Sequence, residues 1–372
     1  MLAGCLAFLV PGNLRADDLI RFSWAEIVRI LTHGSWPPPL QRDPSNRVSG
    51  KLEAASFGEH LFFSARLSNS GGMLCASCHE PWRAYADGRD RGQGSVRLDR
   101  NTPSVVDVRF NRWFGWDGAN DNLWAQSIRP ILDPREMGSS AAEVAALIRG
   151  DRDLAELYRV AFGAAPPAND EQVLVDAGKA LAAYQETLVS GRTPFDEFRD
   201  ALARKDIDTA SRYPRDAQRG LQIFIGKGSC AGCHSGPTFS DGLFHRTGVV
   251  SILENGQPDA GRQLAVRKLS VSRYNLLGPY NDDPARSTAA GTRAAATEQG
   301  TAGAFRTPGL RSVALTAPYM HDGSQPTLCD VVARHPAPGL TSDEMDDLVA
   351  FLRSLTSSAT PRLEAKDSAS CS

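Results

Sequence analysis

Apolar side chains recur every three or four residues between positions 174 and 188, which is the spacing of one face of an α-helix. The residues of this face are Leu174, Ala177, Leu181, Tyr184 and Leu188. We interpret the segment as a buried helix that lies between two domains.

A second helical pattern lies near the C-terminus. Thr341 and Glu344 have the spacing of a capping box, in which each side chain bonds the backbone of the other residue. The apolar stripe that follows consists of Met345, Leu348, Leu352 and Leu355. This spacing predicts a C-terminal helix that packs on the second half of the chain.

Two similar short segments indicate an internal duplication. Gly58–Phe62 and Gly220–Phe224 each begin with glycine, end with phenylalanine and precede a Cys-x-x-Cys-His pentapeptide. This repeat suggests two related units, each with a short helix that leads into the pentapeptide. We predict no strand, and the Ala-, Thr-, Gly- and Arg-rich residues 282–304 are predicted to be a loop. The expected fold is therefore mainly α with long loops.

The composition is that of a soluble globular protein. The chain has 372 residues, of which 41% are hydrophobic and 23% charged, and its formal net charge is −2. This length allows two domains of ordinary size. No basic run with interleaved aromatic residues suggests nucleic-acid binding, and no stretch of 18 or more apolar residues could form a transmembrane segment.

Residues 1–16 are predicted to be a signal peptide cleaved after Ala16. The run Met1–Val10 is apolar, but the positively charged start of a complete signal peptide is missing. A true start further upstream would explain that difference. Two alternatives stay open, namely a lipoprotein box at Leu2–Cys5 and an ordinary buried segment.

The chemistry of the chain is concentrated in the two pentapeptides, Cys75–His79 and Cys230–His234. In such a motif two thiols bind haem vinyl groups as thioethers and the adjacent His binds the iron. A thioredoxin-like redox pair does not need the His, and a zinc site would group its ligands more closely. We predict two c-type haems, with these attachment and axial residues: Cys75, Cys78, Cys230, Cys233, His79 and His234.

The two motifs divide the chain into two cytochrome c-like haem domains packed around an interdomain site. The expected units are an extension over 17–50, a first haem domain over 51–205, a second over 206–358 and a disordered tail over 359–372. The remaining cysteines, Cys5, Cys329 and Cys371, are an odd set with no obvious pairing. Covalent haem attachment of this kind takes place outside the bacterial cytoplasm, so we expect the protein in the periplasm.

The order of motifs resembles the bacterial dihaem cytochrome c peroxidase superfamily, which also contains MauG-type enzymes. The stretches that carry the resemblance are 61–68, 116–118 with Gln126 and 135–138, the second haem motif, and 305–308 with 316–323. The resemblance implies that Glu136 is the catalytic carboxylate over the peroxidatic haem and that Gln126 is the amide of the distal pocket. It also implies that Trp116 lies between the haems. Taken alone, these residues would read as a surface ion-pair residue, a solvated amide and a core aromatic.

The resemblance also implies a calcium site between the domains. Its ligands would be the Asn101 side chain and the backbone carbonyls of Thr316 and Pro318, completed by water. Amide and carbonyl oxygens suit a hard cation. Without the resemblance, an Asn before Thr-Pro is simply a turn residue.

The sequence departs from the superfamily pattern at two places. Some peroxidases carry a loop His that closes the resting first haem, but residues 80–116 contain no His. This difference suggests an open, five-coordinate first haem, as in MauG-like members.

The second departure concerns the distal ligand of the second haem, which in the superfamily is Met or Tyr fourteen residues after the His of the Pro-Tyr-x-His segment. Counting from His321 gives His335. We expect a bis-His, low-spin haem with a potential below that of a His/Met haem. The alternative is a His that only favours a helix C-terminus. His245 and His321 are expected near this haem as hydrogen-bonding residues.

The leading interpretation is a cytochrome c peroxidase-type oxidoreductase. It would reduce hydrogen peroxide at the first haem with electrons delivered through the second from a cytochrome c, a cupredoxin or another small redox protein. One alternative is MauG-like oxidation of Trp or Tyr on a partner protein. The other is a non-enzymatic dihaem electron carrier, which would not explain Trp116, Gln126 and Glu136. A homodimer is one option for its assembly.

Overall fold

The computed structural model describes residues 19–297, 300–335, 339–357 and 371, and its fold is mainly helical, as predicted. Among these residues no helix is long and apolar enough to cross a membrane. The helices are α1 (Trp24–Leu31), α2 (Leu52–Phe62), α3 (Leu123–Leu132), α4 (Ala141–Gly150), α5 (Arg152–Phe162), α6 (Asp170–Gln185), α7 (Pro194–Arg204), α8 (Ile207–Ala210), α9 (Arg215–Ile225), α10 (Arg262–Val271), α11 (Ala290–Thr297), α12 (Leu328–Arg334) and α13 (Ser342–Arg353). Two short strands, β1 (Phe244–His245) and β2 (Phe305–Arg306), pair antiparallel.

In the described part of the chain two large hydrophobic cores are separated along the sequence, and Trp113, Leu269 and Ala295 form a small third cluster. Helices α2 to α6 form the first core, and α7, α9, α12 and α13 form the second. Phe195 and Phe198 of α7 belong to the second core, although α7 lies before the expected boundary at 205. The cores therefore divide earlier in the chain than the sequence suggested, because Phe195 of α7 packs on Phe351 of α13 and on Phe239.

Helix α6 lies at the centre of the first core rather than between the domains. Every residue from Val173 to Gln185 is buried, and α6 packs against α2, α3 and α4. The prediction of a buried helix is confirmed, but its interdomain position is wrong. The polar residues of this buried helix are paired, since Asp176 accepts from Tyr158 and Lys179 Nζ donates to Tyr280 O at 2.8 Å and to Asp282 Oδ2 at 2.7 Å.

The predicted duplication is visible in the helix packing. A Cβ atom on Gly58 of α2 would overlap the carbonyl oxygen of Ala180 in α6, and one on Gly220 of α9 would overlap that of Asp347 in α13. Each haem motif is thus preceded by a helix that crosses another helix at a glycine. The C-terminal helix has the predicted capping box of Thr341 and Glu344 and packs on α9 as expected.

Replacing Gly220 by Ala is expected to destabilise the second domain by about 2–3 kcal/mol, because the new methyl group has no space beside a backbone carbonyl. Denaturant unfolding of the haem-loaded protein, followed by Soret absorbance, measures the change. Gly150→Ala is the matched control, since nothing lies within 4 Å of a Cβ there. Equal stability of the two variants would contradict this account of the crossing.

The N-terminal extension contacts both cores. Ile30 belongs to the second core and Val48 to the first, and the Trp36 indole donates to Ser190 O at 2.9 Å.

The predicted signal peptide over 1–16 lies outside the described residues. The predicted loop over 282–304 is wrong in part, because α11 occupies 290–297 and buries Thr292 and Ala295.

The cysteine pairing corrects the sequence analysis. Cys329 of α12 and Cys371 form a disulfide across a sequence separation of 42. Cys371 also donates its backbone N–H to Asp346 Oδ1 at 2.7 Å and packs on the second core, so the tail is attached at this residue. Residues 358–370, which make up nearly all of the predicted disordered tail, lie outside the described residues.

Candidate active site

The first haem motif forms a tight turn that follows α2 and a short 3₁₀ turn at Ala65–Leu67. Residues Cys75–Ser77 make one turn of 3₁₀-helix, and His79 N–H donates to Cys75 O at 2.9 Å. The His79 Nδ1–H donates to Tyr85 O at 3.0 Å, which leaves Nε2 free to bind iron. Tyr85 has a φ of 58°, a left-handed conformation that is strained for a bulky residue. This backbone conformation directs the Tyr85 carbonyl at the His79 ring.

The second haem motif has the same geometry. Residues Cys230–Gly232 form a 3₁₀ turn, and the His234 Nδ1–H donates to Phe239 O at 3.0 Å. Phe239 has a φ of 57°, which matches Tyr85 of the first motif. Burial lowers the pKa of His234 to about 4, so its imidazole is a neutral donor. Each turn therefore holds its His ring through Nδ1 and leaves the neutral Nε2 nitrogen available to bind a metal ion.

The four motif cysteines fit covalent haem attachment. Among the described residues they are the free cysteines, they are partly exposed, and each pair lies on the same turn as its His. Burial raises the pKa of Cys75 to about 12 and that of Cys78 to about 11, which disfavours a reactive thiolate pair. The donor set is that of a c-type haem rather than of a redox-active dithiol.

Arg306 is a buried cation that the sequence analysis missed. Its Nη1 donates to Thr307 O at 3.1 Å, its Nε lacks a partner, and no carboxylate in the described part of the chain pairs with it. Burial lowers its pKa to about 10. A haem propionate would supply the missing negative charge. The signal in the sequence was a single Arg between Phe305 and Thr307, which does not reveal burial.

His335 lies opposite His234. The centroids of the two rings are 6.2 Å apart, and His335 Nδ1 is buried without a hydrogen-bond partner. Two imidazole nitrogens that each lie about 2.0 Å from one metal ion, the usual metal–His distance, place the ring centroids about 6 Å apart. The spacing of the two rings therefore leaves room for one iron between them.

All seven histidines of the chain fall within the described residues, and none of the other four lies at the first motif. His33 stacks on Phe239 at 4.4 Å, and the His60 ring lies 2.8 Å from Ser56 O on the exposed side of α2. His245 bonds Asp241 at 2.7 Å, and His321 stacks on Phe305 at 3.5 Å. His33 packs against the second haem turn, where its Nδ1 lies 3.1 Å from Gly236 O.

Glu136 lies beside the first haem motif. It follows α3 in a turn. Residues 92–95 pack closely against the backbone of this turn, and a Cβ on Gly94 would overlap Arg135 O. Gln93 O in the same loop lies 3.6 Å from Cys78 Sγ. The Glu136 charge contributes to raising the thiol pKa of Cys75 and Cys78, after the larger effect of burial. The carboxylate is largely buried and paired with Arg129 Nη1 at 2.5 Å.

Gln126 lies on α3, three residues before Arg129, so the two side chains share a helix face. Arg129 binds Glu136 at 2.5 Å, which places Gln126 and Glu136 on the same side of α3. The Gln126 Oε1 accepts a hydrogen bond from Asn120 Nδ2 at 2.8 Å. Its Nε2 remains the group that can donate to a ligand. The sequence analysis did not identify Asn120 and Arg129, which bond Gln126 and Glu136 respectively.

Trp116 is hydrogen-bonded to residues from both halves of the chain. Its indole Nε1–H donates to Asn101 O at 2.8 Å, and its own carbonyl accepts from Arg306 N–H at 2.8 Å. Asn101 precedes the first core's α3, whereas Arg306 belongs to β2. By contrast, nearby Trp124 is fully buried in the first core. Trp116 is therefore fixed by residues from both sides.

The three residues of the suggested calcium site come from the same region. Asn101 N–H donates to His321 O at 2.9 Å, three residues after Pro318. The Asn101 Nδ2 donates to Arg89 O at 2.8 Å, so Oδ1 is the oxygen left for a cation. Thr316 and Pro318 flank Ala317 in the segment before His321. Of the three residues, Asn101 is the one bonded to Trp116.

Comparisons with known proteins agree with this geometry. The family model for di-haem cytochrome c peroxidase matches residues 52–204. The chain is 35% identical over 320 residues to the methylamine utilization protein MauG of Methylorubrum extorquens, covering 82% of this chain and 78% of that protein. It is 32% identical over 320 residues to cytochrome c551 peroxidase of Pseudomonas aeruginosa, covering 82% and 79%. A crystal structure of a MauG-like protein associated with microbial copper homeostasis superposes with a TM-score of 0.64 at 26% identity, covering 88% and 97%.

Proposed function

The chain belongs to the di-haem cytochrome c peroxidase family, and on that basis we propose that it is a periplasmic peroxidase. It reduces hydrogen peroxide at the haem on His79 with electrons delivered through the haem on His234. The observation that carries the proposal is the largely buried Glu136 carboxylate, held beside the first haem motif by Arg129 and by the loop 92–95.

The overall reaction takes one hydrogen peroxide, two electrons and two protons to two waters. When bound, the first haem supplies an iron that accepts the peroxide and its oxidising equivalents. Glu136 moves a proton from one peroxide oxygen to the other, which makes the departing oxygen a better leaving group. Because Arg129 occupies Oε1 of Glu136, Oε2 is the atom that exchanges the proton. Gln126 Nε2 donates to the peroxide and orients it.

Three further assignments complete the proposal. His335 and His234 would together hold the iron of the second haem, which the ring separation of 6.2 Å supports. No second histidine would hold the first haem, because the other histidines make contacts elsewhere, and this would leave the first haem accessible to peroxide. Trp116 relays electrons between the domains, supported by its bonds to Asn101 and Arg306.

Calcium and the periplasm belong to the same proposal. A calcium ion bound by Asn101 Oδ1 and the carbonyls of Thr316 and Pro318 would fix the segment that carries Trp116's hydrogen-bond partner. The Cys329–Cys371 disulfide supports an oxidising compartment, since disulfides of this kind persist outside the cytoplasm.

Steady-state turnover tests the proposed function. The haem-loaded protein is mixed with hydrogen peroxide and a reduced small cytochrome c or cupredoxin, and donor oxidation is followed by absorbance. We expect about two donor molecules oxidised per peroxide, since each donor gives one electron. Absence of peroxide consumption with every donor would contradict a peroxidase and favour the electron-carrier alternative.

A MauG-like activity is the second candidate. It is favoured by the 35% identity to a MauG protein and by the absence of a loop His between His79 and Trp116. In this case peroxide oxidises Trp or Tyr on a partner protein, and two electrons leave the partner for each peroxide reduced. Peroxide consumption that small donors do not accelerate, but that a partner protein does, would favour this candidate.

A further inference from the structure

Helix α12 holds His335 with little packing of its own. It has only seven residues, Leu328–Arg334, and the side chains it buries are Leu328 and Val332. A capping box of Thr327 and Asp330 fixes its start, and His335 N–H donates to Val331 O at its end. Isolated helices of this length are unstable in water, so α12 depends on anchors outside itself.

The Cys329–Cys371 disulfide supplies such an anchor. Cys329 lies in the first turn of α12, and its partner Cys371 donates its N–H to Asp346 Oδ1 of α13 at 2.7 Å. Both sulfurs pack on the second core. The covalent bond and the hydrogen bond together connect α12 to α13, which itself crosses α9 just before the second haem motif.

We propose that the Cys329–Cys371 disulfide is a positioning cross-link that keeps His335 opposite His234. This inference rests on the proposed ligation of the second haem by His335. The cross-link restricts the motion of α12 relative to α13. This restriction matters because an iron held by both His234 and His335 would tolerate little displacement of either imidazole. Without the cross-link, His335 dissociates from the iron in a measurable fraction of molecules, and the second haem becomes accessible to external ligands.

The test compares the haem-loaded wild-type protein with the double variant Cys329→Ser/Cys371→Ser. Low-temperature electron paramagnetic resonance of the ferric protein measures the low-spin signal of the second haem. Carbon monoxide titration of the reduced protein counts accessible irons. We expect the low-spin signal to fall and carbon monoxide binding to rise from about one toward two per protein, because each open haem iron binds one.

Two further samples separate positioning from general loosening. Phe198→Leu weakens the second core at α7 without touching α12 and is expected to keep the wild-type signals. If the double variant does not assemble, the native holoprotein is treated with a phosphine reductant, alkylated with iodoacetamide and returned to the ferric state. Loss of the low-spin signal in that sample supports the proposal as directly as the double variant.

The outcomes distinguish this inference from the proposed function. If wild-type protein lacks a bis-His low-spin signal, the assignment of His335 is wrong and the inference falls with it. If wild type shows that signal and the double variant or alkylated protein retains it with unchanged carbon monoxide binding, only the positioning role is overturned. An equal loss in Phe198→Leu would also overturn it, since general loosening would then explain the effect.

Discussion

Replacing Glu136 by Gln is expected to slow the reaction of the oxidised protein with peroxide by about 10²–10⁴-fold, the usual contribution of a positioned general acid–base group. The amide keeps the size of the side chain and can still accept a hydrogen bond from Arg129, but it cannot carry the proton from one peroxide oxygen to the other. The environment of Cys75 and Cys78 should stay intact, so haem content and the resting spectrum are expected to be unchanged.

The measurement is the second-order rate constant for peroxide in stopped-flow absorption, taken over a range of peroxide concentrations. Glu143→Gln is the matched control, because Glu143 is an exposed residue whose carboxylate bonds Ser139 and Ser140 at the start of α4. If the rate constant of Glu136→Gln lies within about threefold of the wild-type value, the loss is too small for a general acid–base role. The Glu136 carboxylate would then serve only in the ion pair with Arg129.

Replacing His335 by Met is expected to raise the reduction potential of the second haem on the order of 0.1 V, because thioether ligation favours the ferrous state more than imidazole does. The first haem belongs to the other core and its potential should remain unchanged. Spectroelectrochemical titration of the haem-loaded protein measures both potentials in one sample.

The companion variants sharpen this result. His60→Met alters an exposed imidazole of α2 and is expected to leave both potentials unchanged. His335→Ala should convert the second haem from low-spin to a form that binds external ligands. If neither His335 variant changes the spectrum or potential of the second haem, another residue is the ligand, and the ring separation from His234 has a structural origin only.

The sequence was informative where chemistry is local. A Cys-x-x-Cys-His turn brings two thiols and an imidazole together within five residues, so both haem sites could be recognised without knowledge of the fold. The equivalent positions of Gly58 and Gly220 before the two motifs likewise indicated the duplication, and in the structure each glycine lies at a close helix crossing. The capping box of Thr341 and Glu344 and the apolar stripe from Met345 to Leu355 likewise predicted α13 from neighbouring residues alone.

Features that depend on distant residues were missed or misplaced. The partner of Cys329 is 42 residues away, and nothing near either cysteine indicates the pairing. Arg306 is unusual because it is buried and pairs with no carboxylate among the described residues, which only the packed structure reveals. Helix α11 was predicted as a loop because its Ala, Gly and Thr residues lack an apolar stripe, although Thr292 donates to buried Asp121 at 2.6 Å.

The most direct test of the account is a stopped-flow spectrum after one equivalent of hydrogen peroxide is mixed with the fully oxidised, haem-loaded protein. The account predicts a rapid change of the Soret band, since the haem on His79 is open and Glu136 and Gln126 assist without prior reduction. An unchanged Soret band would contradict it, because the first haem would then be closed at rest or unable to react with peroxide.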